Sequence, residues 1–466
     1  MTMLSFPVRA EDAVFLHAQT ASCPQQVGAV VMLNGPGVNL AGLRSSVAAR
    51  VGQLPQLRRR LIPARGRWHR PRWVIDESLD VCSRVTEAVA EAGTLTSLEQ
   101  VVGRYFAEPV DPAEAAWQLL LVRTEAGGPS AIVVKAHHAL GDSYALISEL
   151  SGLFDQQAPR PGSTPGWRPD RREGVGSRPA RRRFREIARR ASTVLHVARG
   201  LAGMSLAARP GPIGVGGGVA DYHREFAAVT LDARMVVTKA RLLGAETVDL
   251  VLAVAADALS QLVARQGQPA GERTVRAMVP CSLRSARSSG RSPGRRGAPV
   301  PAAVASGGGA GGGIEPGNRI AGVLLDLPVG PMSLAERVTA VGTVRKARLR
   351  RGDADASAFV LRAMNILPSP LQRAIARTSF SSRRFSLIVS VFPGIRQRRQ
   401  LLGAEVTEVF PILALADGVG LALGAMTWGR YLSVGIMANP ALIPDVALLA
   451  RGIRNAFSTD DRESAD

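Results

Sequence analysis

The sequence predicts an α/β (α+β) fold that is divided into two or three domains. The chain has 466 residues, and a domain typically takes roughly 100–200 residues. Hydrophobic residues make up 46% of the chain, which is enough for large cores. Along both halves, β-branched runs that end at turn residues alternate with apolar residues at helical spacing. This alternation is typical of sheets flanked by helices.

The first predicted domain, residues 1–155, begins this alternation. Residues 27–35 (VGAVVMLNG) are a predicted strand, and residues 40–54 are a predicted helix whose apolar positions recur three or four residues apart. Residues 117–138 indicate two strands around a Gly-Gly-Pro turn. Residues 143–154 (SYALISELSGLF) are a predicted helix, because an aspartate and a serine at its start are favoured helix-start residues.

Residues 156–218 are predicted to be a linker that contains a basic crossover helix. Pro, Gly and Arg dominate residues 156–182. Between residues 168 and 199, 11 arginines stand against three acidic residues, which gives a net charge of +8. Residues 180–204 place apolar residues on one helical face and arginines on the other. Such a helix either packs on its own protein or lies on an anionic membrane, and the sequence leaves both readings open.

The second predicted domain spans residues 219–457. It opens with a long apolar helix over residues 247–267 and a strand over residues 274–283 (TVRAMVPCSL). Residues 284–313 are rich in Arg, Ser, Pro, Gly and Ala, and we expect this insertion to be disordered because it has too little apolar surface to bury. Order is expected to return at residue 318, and the acidic tail at residues 458–466 is expected to fray.

The charge of the chain has two readings, an anionic partner or GC-rich coding that favours arginine without a function. It carries 58 Lys and Arg against 38 Asp and Glu, a net charge of +20. A basic protein binds nucleic acid, anionic lipid or an acidic substrate. Aromatic residues are only 5% of the chain, and no basic stripe is interleaved with them. The sequence also has no zinc-finger or RNA-recognition signature, so we expect no nucleic-acid binding.

Cysteine usage and apolar segments bear on the compartment. Cys23, Cys82 and Cys281 are far apart and odd in number, so they form neither a disulfide framework nor a zinc spacing. This pattern is typical of a reducing cytosol. The first residues lack a basic segment followed by an apolar one, so we expect no secretory signal. An uncharged apolar run of about 18 residues is missing, so we also expect no membrane-spanning helix.

The most informative short segment is AIVVKAHHALGDS at residues 131–143. An apolar strand ends in two adjacent histidines, His137 and His138, and Asp142 follows four residues after the second. Histidine is the natural general base near neutral pH, and a nearby carboxylate can orient the loop. The residues alone leave three readings open: a catalytic pair, two loop histidines with no role, and a metal site. The other four histidines show no convergent spacing that would favour a metal.

This segment resembles the HHxxxDG motif of the acyl-CoA-dependent acyltransferases. The flanking sequence is similar to the bacterial wax ester synthase/diacylglycerol acyltransferase family over nearly the whole chain. The segments that carry the resemblance, in chain order, are EDAVFLHAQT (11–20), QVGAVVML (26–33), PQLRRRLI (55–62), EPVDPAEAAWQLLLV (108–122), VPCSLR (279–284), GNRIAGVLLDLP (317–328), VSVFPG (389–394), GAEVTEVFPI (403–412) and a closing hairpin at 417–439.

The resemblance implies two chloramphenicol-acetyltransferase-like domains, each a mixed sheet flanked by helices, with an active-site channel between them. It implies that His138 is the general base, that His137 shapes the loop, and that Asp142 is structural and pairs with an arginine, with Arg284 as the candidate. Other residues of the motif and of the second domain would lie near the substrate, namely Gly141, Ser143, Asp249 and Ser390.

The resemblance also implies the reaction partners. Acyl-CoA would be the co-substrate, and diacylglycerol or a long-chain fatty alcohol the acceptor, with no cofactor and no metal. The expected location is cytoplasmic and peripheral, at the inner membrane face or on lipid droplets, with the helix at 180–204 on the anionic surface.

The sequence departs from the family pattern at four positions. Ser143 replaces the motif glycine, and three polar or amide-bearing positions of the second half have become Asp249-Leu250, Val391 and Ala422. Two alternatives to an active diacylglycerol or alcohol acyltransferase therefore stay open. One is a catalytically degenerate relative that binds lipid, and the other is an acyltransferase for a different hydroxyl acceptor.

Overall fold

The computed structural model describes most of the chain outside the linker and the insertion. The described residues are 5–35, 37–64, 66, 68–91, 94–124, 130–142, 145–146, 149, 151–156, 219–267, 273–282, 300–301, 317–395 and 398–458.

Helices and strands alternate through these residues as the sequence predicts. The described helices are α1 (Ala10–Ala18), α2 (Leu40–Val51), α3 (Leu95–Ala107), α4 (Ala233–Leu242), α5 (Thr247–Arg265), α6 (Leu334–Arg351), α7 (Asp353–Ala363), α8 (Ser369–Ser379) and α9 (Val446–Asn455). The described strands are β1 (Ser5–Pro7), β2 (Gln26–Asn34), β3 (Arg59–Ile62), β4 (Arg72–Ile75), β5 (Val85–Ala90), β6 (Trp117–Thr124), β7 (Ser130–His137), β8 (Asp155–Gln156), β9 (Glu225–Asp232), β10 (Thr274–Ser282), β11 (Val300–Pro301), β12 (Ile320–Pro328), β13 (Leu387–Ile395), β14 (Arg399–Leu401), β15 (Ala404–Ile412), β16 (Leu421–Trp428) and β17 (Tyr431–Ala438).

The first large sheet has the strand order β5-β6-β7-β2-β15-β14-β8. Strand β2 lies between β7 and β15 and runs antiparallel to both. It pairs Gln26 with His137, so the end of β7 lies beside the start of β2. Strands β1, β4 and β3 form a separate small sheet. The pairing of β2 with β7 therefore places the histidine pair where two central strands of the first large sheet end and begin.

The second large sheet has the order β11-β10-β13-β16-β17-β9, and β12 also pairs with β10. Helix α5 packs on this sheet, and residues such as Leu250 and Leu252 are fully buried in its core. By length and composition α5 is apolar enough to cross a membrane, but 72% of its most apolar stretch is buried inside the protein. That is the position of a core helix, where burial on the sheet accounts for the apolar sequence.

The two large sheets meet where β15 crosses β16 and β17. A Cβ atom at Gly435 would lie 2.2 Å from the carbonyl oxygen of Pro411, and one at Gly424 would lie 3.0 Å from the Cβ of Pro411. The lack of a side chain at these two positions lets β15 approach the second sheet closely. The chain thus reaches the first sheet again from its second half and brings the two sheets into contact.

Helix α6 packs against α5, and its two ends are defined by local sequence signals. Its start is fixed by a capping box, in which Ser333 and Glu336 bind each other's backbone N–H groups. It ends at Gly352, whose φ of 91° is a left-handed conformation that glycine adopts without strain. This turn leads directly into α7, so α6 and α7 cover β12 from one side.

The structure confirms the predicted fold class, with two sheets flanked by helices. Strands β2, β6, β7 and β10, the helices α2 and α5, and the closing hairpin of β16 and β17 lie where the sequence predicts them, and order returns after the insertion as strand β12. Strands β14 and β15 complete the first sheet although they lie in the second predicted domain, and the domain limits themselves stay predictions.

Four predicted segments lie largely outside the described residues, and one of them is the tail at 458–466, which is described only at residue 458. The helix at 143–154 is described at residues 145, 146 and 149, and a 3-10 turn follows at Ser151–Leu153. Of the linker at 156–218 only residue 156 is described, so the basic helix at 180–204 lies outside the described part. Within the insertion at 284–313, only Val300–Pro301 is described, as a short strand on β10.

Candidate active site

The histidine pair is fixed by backbone hydrogen bonds at the end of β7. The N–H of His137 donates to the carbonyl of Ala116 at 2.8 Å, and the N–H of His138 donates to the carbonyl of Gln25 at 2.8 Å. A 3-10 turn, His138–Leu140, then leads to Gly141. The two neighbouring chain segments therefore hold the backbone of both histidines, and both side chains are buried.

His137 uses both ring nitrogens to hold the loop. Its Nδ1 accepts a hydrogen bond from the N–H of Ala139 at 3.0 Å. Its Nε2 lies 2.6 Å from Oε1 of Gln19 and donates to it, because Nδ1 is the acceptor in this tautomer. Burial, together with the neighbouring His138, lowers the pKa of His137 to about 3. This arrangement supports a loop-shaping role for His137.

His138 has a different environment. Its ring stacks on Phe15 of α1, with ring centroids 3.6 Å apart and an interplanar angle of 5°, and 8% of the residue is exposed. Its Nδ1 is buried and makes no hydrogen bond of normal geometry to the described residues. Burial lowers the pKa of His138 to about 4, against the opposing effects of nearby backbone carbonyls and Asp142. The imidazole is therefore neutral near pH 7 and able to accept a proton.

Asp142 ties the loop to the second half of the chain. Its Oδ1 accepts from the N–H of Ala145 at 2.9 Å, and its Oδ2 accepts from the main-chain N–H of Arg319 at 2.9 Å. Gly141 forms an isolated parallel bridge with Gly317. Ser143 and Arg284 lie outside the described residues. The contacts of Asp142 support the structural role that the resemblance implies for it.

The structure brings two further residues to His138 that the sequence reasoning did not single out. Oδ1 of Asp12 accepts from Asn318 twice, from the main-chain N–H at 2.8 Å and from Nδ2 at 2.9 Å. The same Nδ2 donates to the carbonyl oxygen of His138 at 2.8 Å. Burial raises the pKa of Asp12 to about 6, against these hydrogen bonds from Asn318. The only signal for either residue was its place within two segments that resemble the family, 11–20 and 317–328.

Asp249 and Ser390 lie in the second sheet layer, apart from the hydrogen bonds of the histidine loop. Asp249 is fully buried on α5, and Arg345 of α6 binds both of its carboxylate oxygens, at 2.5 and 3.1 Å. Ser390 is buried in β13, opposite Gly424 of β16. Asp249 is thus engaged in an ion pair with Arg345, and its expected place near the substrate stays a prediction.

Three residues of the second half that depart from the sequence pattern of the family are buried in apolar cores. Leu250 and Val391 belong to the core under the second sheet, and Ala422 belongs to the core of the first. Apolar side chains fit these surroundings without an unsatisfied polar group. Within the described ranges, no cluster of three or more His, Cys, Asp or Glu side chains has a metal-binding arrangement.

The chain matches two family domains. The wax ester synthase/diacylglycerol acyltransferase catalytic domain covers residues 8–250, and the C-terminal domain of the same family covers residues 316–459. A putative diacylglycerol O-acyltransferase of Mycobacterium tuberculosis H37Rv is 26% identical over 96% of this chain and 89% of its own length. A probable diacylglycerol O-acyltransferase of the same strain is 23% identical over 96% of this chain and 94% of its own length.

Solved structures show the same fold. The wax ester synthase/diacylglycerol acyltransferase of Marinobacter aquaeolei VT8 aligns with a TM-score of 0.62 and 16% identity, over 97% of this chain and 98% of that one. The first condensation domain of the calcium-dependent antibiotic synthetase aligns with a TM-score of 0.60 and 16% identity, over 98% and 97%. The family domains, the mycobacterial relatives and the fold agree: the chain is an acyltransferase that belongs to the wax ester synthase/diacylglycerol acyltransferase family.

Proposed function

We propose that this acyltransferase moves a long-chain acyl group from acyl-CoA to the hydroxyl of diacylglycerol or of a long-chain alcohol. The observation that carries the proposal is His138, a neutral imidazole stacked on Phe15 and fixed at the end of β7. The names of the mycobacterial relatives support diacylglycerol as an acceptor. A starter condensation domain of rhizomide synthetase, solved in complex with C8-CoA, has a TM-score of 0.57 with this chain and supports acyl-CoA as the donor.

In the proposed reaction, His138 is the general base. Because Nδ1 is buried, Nε2 is the atom that takes the proton of the acceptor hydroxyl. The hydroxyl oxygen attacks the thioester carbon and forms a tetrahedral intermediate, which collapses to the ester and expels the CoA sulfur. The imidazolium returns its proton to that sulfur, so CoA leaves as its thiol. We propose no cofactor and no metal for this reaction.

A comparison of two histidine variants tests the proposal. Purified wild type, His138→Ala and His223→Ala would be given radiolabelled palmitoyl-CoA with either diacylglycerol or hexadecanol. His223 is an exposed histidine paired with Asp221 and serves as the matched control. We expect triacylglycerol or wax ester from wild type and His223→Ala, and a loss of about 10²- to 10⁴-fold in His138→Ala.

The same assay distinguishes the two alternatives. Equal background from all three proteins would contradict the proposal and favour a catalytically degenerate lipid-binding protein. The apolar packing of Leu250, Val391 and Ala422 is the observation that favours that reading. Hydrolysis of palmitoyl-CoA that depends on His138, without either ester product, would indicate a different hydroxyl acceptor.

We also propose a cytoplasmic, peripheral location at an anionic membrane or lipid-droplet surface. The predicted helix at 180–204 lies outside the described residues, but a second surface supports the proposal. Trp68, Ile366 and Leu371 are exposed by 66%, 85% and 47%. Their segments contact each other, because Ser369 donates to the carbonyl of His69 at 2.8 Å.

Arginines outnumber acidic residues along the longer segment of this exposed apolar patch. Residues 356–384 contain five arginines and no acidic residue. Of these, Arg362, Arg373 and Arg377 are exposed. Apolar side chains that enter the headgroup region, with arginines beside them, are the features by which proteins bind an anionic lipid surface.

A further inference from the structure

We propose that Asn318 is a positioning residue for His138, that Asp12 holds it in place, and that its amide oxygen receives the Nδ1–H of the imidazole. The inference rests on the proposed role of His138 as general base. It adds two residues from distant parts of the chain to the machinery of that base.

The orientation of the Asn318 amide is fixed by its donors. Its Nδ2 has two hydrogens, and the structure uses both, toward Oδ1 of Asp12 at 2.9 Å and toward the carbonyl oxygen of His138 at 2.8 Å. A flipped amide would point its oxygen at a carboxylate and a carbonyl, which are both acceptors. The hydrogen-bond network therefore assigns Nδ2 to these partners and leaves Oδ1 on the other side of the amide.

Two buried atoms are left without partners at this point. Oδ1 of Asn318 and Nδ1 of His138 are both buried, and neither makes a hydrogen bond of normal geometry to the described residues. Nδ2 of the same amide contacts the His138 carbonyl, so the Asn318 amide packs beside His138. Against burial, the pKa of His138 is raised by the backbone of His138, by Asp142, by the backbone of Gly141 and by the Asn318 side chain, so the amide acts directly on this imidazole. A small rotation of the imidazole would join the two atoms and satisfy both.

Helix α1 supports this arrangement from one face. Asp12 and Phe15 are three residues apart, so their side chains project from the same side of the helix. Phe15 stacks on the His138 ring, and Asp12 binds Asn318. Gly317 lets the segment that carries Asn318 approach Asp12 closely. Its φ of 91° favours glycine, and a Cβ atom at this position would lie only 3.2 Å from Oδ2 of Asp12.

The chemical consequence concerns the tautomer of the base. An acceptor at Nδ1 favours the neutral imidazole that carries its proton on Nδ1, which leaves the lone pair on Nε2 for the acceptor hydroxyl. When Nε2 takes the proton, the imidazolium keeps the Nδ1–H bond to Asn318. The carboxylate of Asp12, bound to the other end of the same amide, then stabilises the positive charge.

The experiment compares Asn318→Ala with Asn365→Ala. Asn365 is a matched control, because it binds Glu11 and the N–H of Ala10 on the same helix but does not contact His138. We expect Asn318→Ala to lower kcat by about 10- to 100-fold with KM for both substrates changed less than about threefold. Asp12→Asn keeps an acceptor for the Asn318 N–H groups and removes the charge, so we expect a smaller loss in kcat at unchanged KM.

A spectroscopic measurement separates positioning from folding. In ¹⁵N-histidine-labelled protein, the His138 signals are assigned by their loss in His138→Ala. We expect the Nδ1–H tautomer in wild type and a mixture of tautomers in Asn318→Ala, with Asp12→Asn as the second variant if Asn318→Ala does not fold. Wild-type kcat and an unchanged tautomer in Asn318→Ala would overturn the inference while leaving the proposed function intact. A wild type without His138-dependent product would instead overturn the proposed function.

Discussion

Two adjacent histidines in one motif have different properties because their ring nitrogens have different neighbours. His137 gives both nitrogens to the loop and to Gln19, so it is a structural part of the site. His138 gives its ring face to Phe15, and its buried Nδ1 makes no hydrogen bond of normal geometry to the described residues. The motif alone specifies two imidazoles, and the packing around each imidazole decides which one is available for chemistry.

The buried histidines predict how stability depends on pH. The pKa values of His137 and His138, about 3 and about 4, lie below the value of 6.5 for an exposed histidine. Below pH 6.5 the unfolded chain therefore binds protons at His137 and His138 that the folded protein does not, and this contribution makes stability fall as the pH drops. Asp12 acts in the opposite direction between pH 6 and pH 3.8, because its raised pKa lets the folded protein bind a proton that the unfolded chain releases.

His137→Gln isolates one of these contributions. Between pH 6 and pH 5 the two histidines and Asp12 leave a net uptake of about one proton on unfolding, a slope of about 1.4 kcal/mol per pH unit. Without His137, the contributions of His138 and Asp12 nearly cancel. We therefore expect Tm to fall less from pH 6 to pH 5 in His137→Gln than in wild type, as measured by circular dichroism. Equal falls in both proteins would show that His137 is not kept neutral by burial.

At the scale of elements, the ion pair of Asp249 and Arg345 joins α5 and α6, as does the pair of Asp257 and Arg337. Asp249 is fully buried, the Arg345 side chain is 4% exposed, and the guanidinium also contacts the more exposed Glu246 at 2.7 Å. Removing one partner of a buried pair leaves an uncompensated charge, which costs far more than an exposed pair contributes. The residue that sequence reasoning placed near the substrate is therefore part of how two helices are joined.

Asp249→Ala should lower the free energy of unfolding by about 3 kcal/mol, as measured by urea denaturation. The double variant Asp249→Leu with Arg345→Met should recover most of this loss, because it removes both charges together. Glu405→Ala removes the exposed pair with Arg398 and serves as the control, with an expected cost below about 1 kcal/mol. A cost for Asp249→Ala as small as that of Glu405→Ala would show that the pair is not what joins the helices.

At the scale of the whole molecule, the two halves of the chain are interleaved. Strand β15 from the second half completes the first sheet, and residues 317–319 from the second half pack on the histidine loop of the first. The position of His138, the proposed base, therefore depends on contacts between the two halves of the chain. The exposed patch of Trp68, Ile366 and Leu371 likewise joins segments that are distant in sequence.

Membrane contact through this patch can be measured by vesicle sedimentation. Replacing Trp68, Ile366 and Leu371 by serine should weaken partition onto vesicles of phosphatidylcholine with phosphatidylglycerol by at least about tenfold. Leu242→Ser is the control, because Leu242 is 82% exposed but lies on α4. Binding of the wild type should fall with added salt and with pure phosphatidylcholine. Equal binding by the triple variant and the control would exclude the patch and leave the helix at 180–204 as the candidate.

The sequence by itself determined the features that are local along the chain. Hydrophobic periodicity located α2 and α5, and β-branched runs located β2 and β7, while the resemblance to the family located the closing hairpin. The ordered segments that resemble the family were enough to predict the family, the fold class and the histidine pair at the end of a strand. Each of these signals depends on spacing within one element, which the order of residues records directly.

The tertiary structure alone decided which distant residues meet. Asp12 and Asn318 are 306 positions apart, and Asp249 and Arg345 are 96 apart. No spacing rule relates such pairs, because their contact depends on how sheets and helices pack after each element has formed. For the same reason, the sequence placed β15 in the second domain, while pairing with β2 and the approach of Pro411 to two glycines placed it in the first sheet.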